Sequence, residues 1–110
     1  MIKFILQLSL LLIIVVFSAC EKTPGACMQL VPEKDTIAVL EEISIDTRCA
    51  GFFSYVRYDF GDGESILKES KEGEILKKVY EYKGDFILRV TFLSKSRKKT
   101  SFEERRIFVK

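Results

Sequence analysis

An apolar strand meets a tight turn at Tyr58-Asp59-Phe60-Gly61-Asp62-Gly63. Every second residue from Val56 to Phe60 is large and apolar, a period that is typical of a strand burying one face. The two glycines that follow tolerate positive φ, and aspartate side chains bond nearby backbone amides. The stretch therefore predicts a strand that ends in a turn, with Asp59 and Asp62 fixing that turn.

The rest of the chain repeats this two-residue period. Short apolar-polar alternations are separated by turn residues roughly every ten positions, which favours an antiparallel β-sandwich of about seven strands. We predict strands at 28–32, 43–49, 53–60, 75–82, 86–92 and 101–109. Residues 68–78 carry helix-forming Leu, Glu and Lys, but Gly73 interrupts them, so we expect an exposed edge hairpin there.

The first twenty residues have the layout of a secretory signal. Lys3 is positive, residues 4–17 are almost wholly apolar, and the run is short for a membrane span. Its end, Phe17-Ser18-Ala19-Cys20, resembles a bacterial lipobox. The resemblance implies that Cys20 becomes the first residue of the mature protein and carries acyl chains, palmitate among them. Several chains anchor stably where one is marginal. The alternative is an ordinary cleaved signal with an incidental cysteine.

These features divide the chain into three predicted segments. Residues 1–19 are a lipoprotein signal peptide, 20–26 are the lipidated cysteine and a tether, and 27–110 are one domain. We expect a lipid-anchored protein of the bacterial cell envelope, on the periplasmic or outer-membrane face. The chain has 18 basic and 16 acidic residues, so no bulk charge points to a nucleic-acid partner.

The three cysteines fit an exported protein. If Cys20 carries lipid, Cys27 and Cys49 remain as one pair in an oxidising compartment, which predicts a disulfide between them. The alternative is two buried free thiols.

Two motifs together resemble the PKD (polycystic kidney disease) domain of extracellular proteins. That family has an aromatic-Asp-Phe-Gly-Asp-Gly turn and, some twenty residues later, His-x-Tyr-x-x-x-Gly-x-Tyr. Tyr80 and Gly84 match the second motif directly, while Tyr58, Lys78 and Phe86 replace the usual Trp, His and Tyr. The resemblance covers residues 27–110 and implies an immunoglobulin-like antiparallel β-sandwich.

That fold also implies a register for the two cysteines. If residues 27–31 and 43–49 pair antiparallel, with 29 opposite 47 and 31 opposite 45, then Cys27 lies opposite Cys49. Directly opposed residues on one face are close enough to bridge.

The residue inventory argues against catalysis. The chain has no histidine, which removes Ser-His-Asp and Cys-His nucleophile systems and His-ligated zinc. It also has no glycine-rich phosphate loop. We therefore expect no enzymatic activity and no required cofactor.

One cluster of carboxylates stands out, because Asp59, Asp62 and Glu64 lie in or next to the same predicted turn. We favour a structural role for it. As an alternative, Asp59 and Asp62 are candidate calcium ligands, since calcium takes hard oxygen ligands and some PKD-like domains of bacterial collagenases use it. A catalytic carboxylate pair for glycoside hydrolysis is disfavoured, because a small sandwich rarely offers a substrate cleft.

A basic tip lies between the last two predicted strands, at Lys95, Arg97, Lys98 and Lys99. The implied fold puts the lipid tether and this tip at one end, and the Asp59–Gly63 and Gly84 turns at the other. We hypothesise that the tip contacts anionic lipid head groups, although such clusters more often form solvated hairpin tips. A solvated hairpin tip is the alternative. Of the neighbouring aromatics Phe52, Phe53 and Tyr55, most should be core; the alternative is a binding face.

These expectations converge on a non-catalytic, envelope-anchored lipoprotein that displays a PKD-type module for protein or polysaccharide binding or scaffolding. The alternative function is an accessory subunit of a secreted or surface hydrolase complex.

Overall fold

The computed structural model describes residues 21–110, which form eight strands and no helix. The strands are β1 (Gln29–Val31), β2 (Thr36–Ile37), β3 (Glu42–Asp46), β4 (Tyr55–Asp59), β5 (Ser65–Glu69), β6 (Ile75–Val79), β7 (Gly84–Leu93) and β8 (Thr100–Val109). The predicted signal peptide at 1–19 and the predicted lipidation of Cys20 lie outside the described residues. Within residues 21–110, no helix has the length and apolarity to cross a membrane.

The strands form two sheets, one of order β1-β3-β6 and one of order β2-β8-β7-β4-β5. Neighbouring strands pair antiparallel, except that the two-residue β2 runs parallel to the end of β8. The predicted all-β sandwich is confirmed, and β2 makes the strand count eight rather than seven. A two-residue strand is too short to show a period, which is why the sequence pattern did not reveal it.

One hydrophobic core lies between the sheets. Alternate residues of the two central strands enter it, and the residues fully buried there include Val56, Tyr58, Leu88, Val90 and Phe92. Ile43 and Ile45 reach the same core from the other sheet. Burying each such side chain contributes about 1.5–3 kcal/mol, so the two-residue period seen in the sequence sets which faces meet.

The segment between β5 and β6 shows that the edge hairpin predicted at residues 68–78 is wrong. The two strands do not form the expected hairpin: β5 pairs with β4 in one sheet, and β6 pairs with β3 in the other. The connection crosses between sheets where Gly73 packs against the backbone of Thr47. A Cβ at Gly73 would lie 2.0 Å from the Thr47 carbonyl oxygen, so this crossing needs glycine. Edge strands with few buried residues carry a weak period, which hid the change of sheet.

The disulfide prediction is confirmed, with one change of register. Cys27 and Cys49 are bonded, and their Cα atoms are 5.5 Å apart. Within β1 and β3, Gln29 pairs with Asp46 rather than with residue 47, so the predicted register is wrong there by one residue. Beyond the strands, Gly25 pairs with Gly51, which is the predicted register.

The difference is one extra residue in the segment that follows β3. Ala50 donates its backbone N–H to the Thr47 carbonyl at 3.0 Å, which closes a turn in that segment. The turn shifts Cys49 by one position and brings it to Cys27. The Thr47 hydroxyl is fully buried and accepts the Glu74 backbone N–H at 3.0 Å, so the turn is also tied to the crossing at Gly73.

Candidate binding site

The two sequence motifs meet at one corner of the sandwich. The hydroxyl of Tyr80, which is fully buried, donates to the Phe60 carbonyl at 2.8 Å. The rings of Tyr80 and Phe86 stack with centroids 4.9 Å apart. Burial, and then the nearby charge of Asp62, raise the pKa of Tyr80 well above its ordinary value. The phenol therefore stays a neutral hydrogen-bond donor that holds the turn after β4.

Gly61 lets the turn approach β7 closely. Its φ is 83°, and a Cβ there would lie 2.6 Å from the carbonyl oxygen of Ile87. Gly63 also has a positive φ, of 94°, but a Cβ added there would have no atom within 4 Å. The first glycine of the motif thus serves both conformation and packing, whereas the second serves conformation alone.

Lys78 is the centre of the corner. Only 8% of the residue is exposed, and its Nζ donates to Asp62 Oδ2 at 2.7 Å and to a carboxylate oxygen of Glu64. The same Nζ lies 4.5 Å from the Phe60 ring centroid and 5.2 Å from that of Tyr80. A buried ammonium needs compensation, and here two carboxylates and two aromatic faces supply it.

The pKa shifts of Asp62 and Lys78 show that ion pairing and hydrogen bonding outweigh burial at the corner. Burial acts to raise the pKa of Asp62, but the Lys78 ammonium and the Glu64 backbone N–H outweigh it, so the pKa lies below its ordinary value. Burial acts to lower the pKa of Lys78, but its two carboxylate partners outweigh it and raise the pKa. Both groups are therefore charged at neutral pH.

The two aspartates of the motif have different partners. Asp62 accepts the Glu64 backbone N–H at 3.0 Å, which is the turn-fixing bond expected of it. Asp59 instead accepts from Arg57 Nε at 3.1 Å, an ion pair on the outer face of the sheet. Among residues 21–110, no three His, Cys, Asp or Glu side chains are grouped to hold a metal ion. Each candidate calcium ligand is held by its own basic side chain.

A cleft of about 310 Å³ opens over this corner. Its lining residues are Asp62, Glu64, Lys78, Val79, Tyr80, Glu81, Tyr82 and Phe86. Tyr82 is 74% exposed, so its ring offers a flat apolar face beside several carboxylates. Sequence reasoning missed this residue as a site candidate. The sequence feature that could have indicated it is an aromatic residue between two charged ones, Glu81 and Lys83, in a connection between strands, where aromatic side chains are seldom needed for the core.

Comparison with known proteins identifies the fold. No family model matches the chain, and no curated protein matches it. One similar solved chain comes from a study described as "Structural basis for the promiscuous specificity of the carbohydrate-binding modules from the beta-sandwich super family". The TM-score is 0.66 at 17% identity, over 81% of this chain and 35% of that chain. The fold is an immunoglobulin-like β-sandwich. PKD membership stays a prediction.

The basic tip lies at the opposite end of the immunoglobulin-like sandwich from the cleft. Strand β4 shows this directly, because it starts at Tyr55, beside the tip, and ends at Asp59, beside the corner. The Arg97 guanidinium lies 4.3 Å from the Tyr55 ring centroid. Glu21 Oε1 accepts from the Ser96 hydroxyl at 2.8 Å, so the start of the described chain lies at the tip.

The aromatics near the tip have separate environments. Phe53 is buried and packs edge-on against Phe92, with ring centroids 5.1 Å apart. Tyr55 is half-buried, and Phe52 is 66% exposed. The expectation that most are core is wrong: of the three, only Phe53 lies in the core, and Phe52 faces solvent.

Proposed function

We propose that this chain is a non-catalytic binding module, that its corner cleft binds a neutral carbohydrate, and that lipid on Cys20 displays it at the bacterial cell envelope. The observation that carries the binding proposal is the exposed Tyr82 ring beside the carboxylates of Asp62, Glu64 and Glu81 in one cleft. Binding sites combine apolar faces with a few fixed polar groups, and this cleft has both.

The chemistry of the cleft favours a sugar. A sugar ring presents C–H groups on its face and hydroxyls at its edge; the face stacks on an aromatic ring and the hydroxyls donate to carboxylates. Three carboxylates and one ammonium line the cleft, so its net charge disfavours an acidic polymer. The carbohydrate-binding neighbour adds support at the level of fold, which by itself does not establish function.

The ion pairs at the corner support a non-catalytic role. A general acid needs a pKa near the working pH, yet the pKa of Asp62 lies below its ordinary value. Lys78 is committed to two carboxylates and is unavailable as a nucleophile at neutral pH. The cleft is thus built to hold a ligand rather than to transform one.

The cleft is tested by binding of the mature protein to a panel of neutral polysaccharides, such as glucans, mannans and chitin. For a polysaccharide that binds, Tyr82→Ala should weaken binding by roughly tenfold or more, as loss of an exposed aromatic anchor does. Phe102→Ala, an exposed aromatic on the outer face of β8, is the matched control and should leave binding unchanged. Equal loss in both variants, or binding to none of the panel, would refute the proposal.

The lipid anchor is tested separately. The full-length protein expressed in bacteria should stay with membranes through a high-salt wash, which screens charge contacts, and the same wash should release the Cys20→Ser form. Mass spectrometry of the mature N-terminus identifies the acyl chains directly. Retention of the Cys20→Ser form in the same membrane fraction would contradict lipid anchoring without bearing on the cleft.

A second candidate function is an accessory subunit that docks on a hydrolase. The outer face of the five-stranded sheet exposes Ile87, Phe102 and Phe108, although Arg89 covers the Phe102 ring at 4.7 Å. A pull-down of the lipidated protein from its envelope tests this. Phe102→Asp should abolish co-purification of an enzyme, and Tyr82→Ala should not. The converse pattern would favour the cleft.

A further inference from the structure

We propose that the end of the sandwich opposite the cleft docks on an anionic lipid surface, with the Phe52 ring entering the interface. The docking surface consists of Lys22, Phe52, Lys95, Arg97, Lys98 and Lys99. The proposal deepens the anchoring part of the proposed function, and it adds a specific orientation: the corner cleft points away from the membrane.

Phe52 is the first observation. It is 66% exposed and has a φ of 59°, a backbone conformation that is an outlier for a bulky side chain. Its neighbour Phe53 is buried against Phe92 and anchors the loop. The chain therefore holds one aromatic ring outward in a strained backbone conformation, and within residues 21–110 the Lys22 ammonium lies over that ring. Strain of this kind is concentrated at functional sites.

The path of the first described residues is the second observation. Gly25 and Gly51 exchange backbone hydrogen bonds of 2.8 and 3.1 Å, and the Ser101 hydroxyl donates to the Pro24 carbonyl at 2.6 Å. Together with the contact from Glu21 to Ser96, these bonds lay residues 21–25 along the domain. A free six-residue tether would reach roughly 20 Å. Because that segment is bound, an acyl chain on Cys20 is separated from this end by about one residue.

Charge is the third observation. The four cations of the tip are exposed and form no ion pair within residues 21–110, and Lys22 adds a fifth charge with its Nζ 4.5 Å from the Phe52 ring centroid. Cations near an anionic leaflet are attracted to it, and aromatic rings favour the head-group level. Both residue types face the side on which the chain enters the domain.

The acidic groups at this end do not cancel that charge. Hydrogen bonds from the Ser94 and Ser96 side chains lower the pKa of Glu21, so its carboxylate is ionised near Lys99 and offsets one of the five cations. Glu74 and Asp46 are paired with Lys68 and Arg48. Glu69 and Glu72 remain, at the end of β5 and in the loop after it, and Lys71 lies between them.

A single fluorophore tests the orientation, because the chain contains no tryptophan. F52W places one at the docking surface, and Y82W places one at the cleft as a matched exposed control. The lipidated protein is bound to vesicles of phosphatidylglycerol and brominated phosphatidylcholine. We expect F52W emission to shift to the blue and to fall about twofold through contact with brominated chains, as for a side chain buried at the head-group boundary. Y82W should be unchanged.

A second arm removes the lipid anchor and reads charge alone. The Cys20→Ser form without residues 1–19 should bind vesicles of phosphatidylglycerol and phosphatidylcholine at low salt. Replacing the four tip cations by Gln should weaken that binding by roughly 10- to 100-fold, since each cation contributes near a charged surface. Lys83→Gln with Lys110→Gln, beside the Gly84–Val109 pair at the other end, is the control and should have little effect.

The outcomes separate this inference from the proposed function. Equal emission changes in F52W and Y82W, or vesicle binding that is insensitive to the tip substitutions, would overturn the docking surface. The effect of Tyr82→Ala on polysaccharide binding is measured without vesicles, so it tests the cleft independently of the docking surface. Absence of acylation at Cys20 would remove the anchor, while the Cys20→Ser arm would still read the docking surface.

Discussion

The two ends of the sandwich treat charge in opposite ways. At the corner end, Lys78 is buried, paired with two carboxylates and enclosed by aromatic rings. At the tip end, Lys95, Lys98 and Lys99 are exposed and form no ion pair within the described residues. The difference indicates that charge at the corner is structural, because removing a partner there leaves a poorly solvated group. Charge at the tip is free for an external partner.

The largest expected effect comes from removing the Cys27–Cys49 disulfide at the tip end. Cys27→Ala with Cys49→Ala should lower the free energy of unfolding by about 3 kcal/mol, since the bond closes a loop between residues 22 positions apart. Urea unfolding of oxidised, reduced and mutant protein measures this. Reduced wild-type protein should match the double mutant. A loss below about 1 kcal/mol would show that the hydrogen bonds of Gly25 hold this end unaided.

The next test compares the two glycines of the corner. Gly61→Ala should cost about 2–3 kcal/mol, because it combines positive φ with a clash against the Ile87 backbone. Gly63→Ala should cost only about 1 kcal/mol, since its side chain would meet open space. Thermal and urea unfolding compare the two. Equal costs would contradict the close approach of the turn to β7.

Lys78→Ala tests whether charge at the corner is structural. We expect a loss of about 2 kcal/mol in stability, because the change leaves Asp62 without its cation and Phe60 without its cover. The matched control replaces Lys95, Arg97, Lys98 and Lys99 by Gln. It should change stability by less than about 0.5 kcal/mol, as exposed substitutions do. Similar losses in both would remove the contrast between the two ends.

The smallest expected effect is a pH dependence at the corner. The folded pKa of Asp62 lies below its ordinary value of 3.8, so its contribution is fully present above that value and is lost as pH falls through the folded pKa. The raised pKa of Lys78 keeps its contribution present at neutral pH, and it is lost only as alkaline pH rises through the folded pKa. Asp62→Asn should therefore flatten the acid limb of stability against pH. An unchanged acid limb would assign it to other carboxylates.

Much of the fold could be predicted because one face of each central strand is buried. Val56, Tyr58 and Phe60 alternate in the sequence because they alternate between core and solvent. β5 escaped prediction for the opposite reason, since few of its side chains enter the core, and β2 escaped because two residues show no period even though Ile37 is buried. The register at Cys27 was wrong by one residue because a turn after β3 adds a residue that no local pattern marks.

The candidate site was only partly visible in the sequence. Asp62 and Lys78 belong to recognisable motifs, but nothing local shows that their side chains meet in a buried ion pair. Tyr82 gained its importance from the cleft that it lines, and Phe52 from the path of residues 21–25 beside it. Such juxtapositions depend on which strands become neighbours, which a period of two residues does not specify.

The amino-acid order alone predicted an all-β chain and a corner turn at Gly61, because alternation and positive φ act locally. It also predicted a Cys27–Cys49 pair, and the structure decided between a disulfide and two free thiols. Packing of the two sheets decided the rest. It buried Lys78 between carboxylates, crossed the chain between sheets at Gly73, and put Phe52 beside the incoming N-terminal segment. Long-range contacts decide such features because the free energy of a charge or an aromatic ring depends on what the fold places around it.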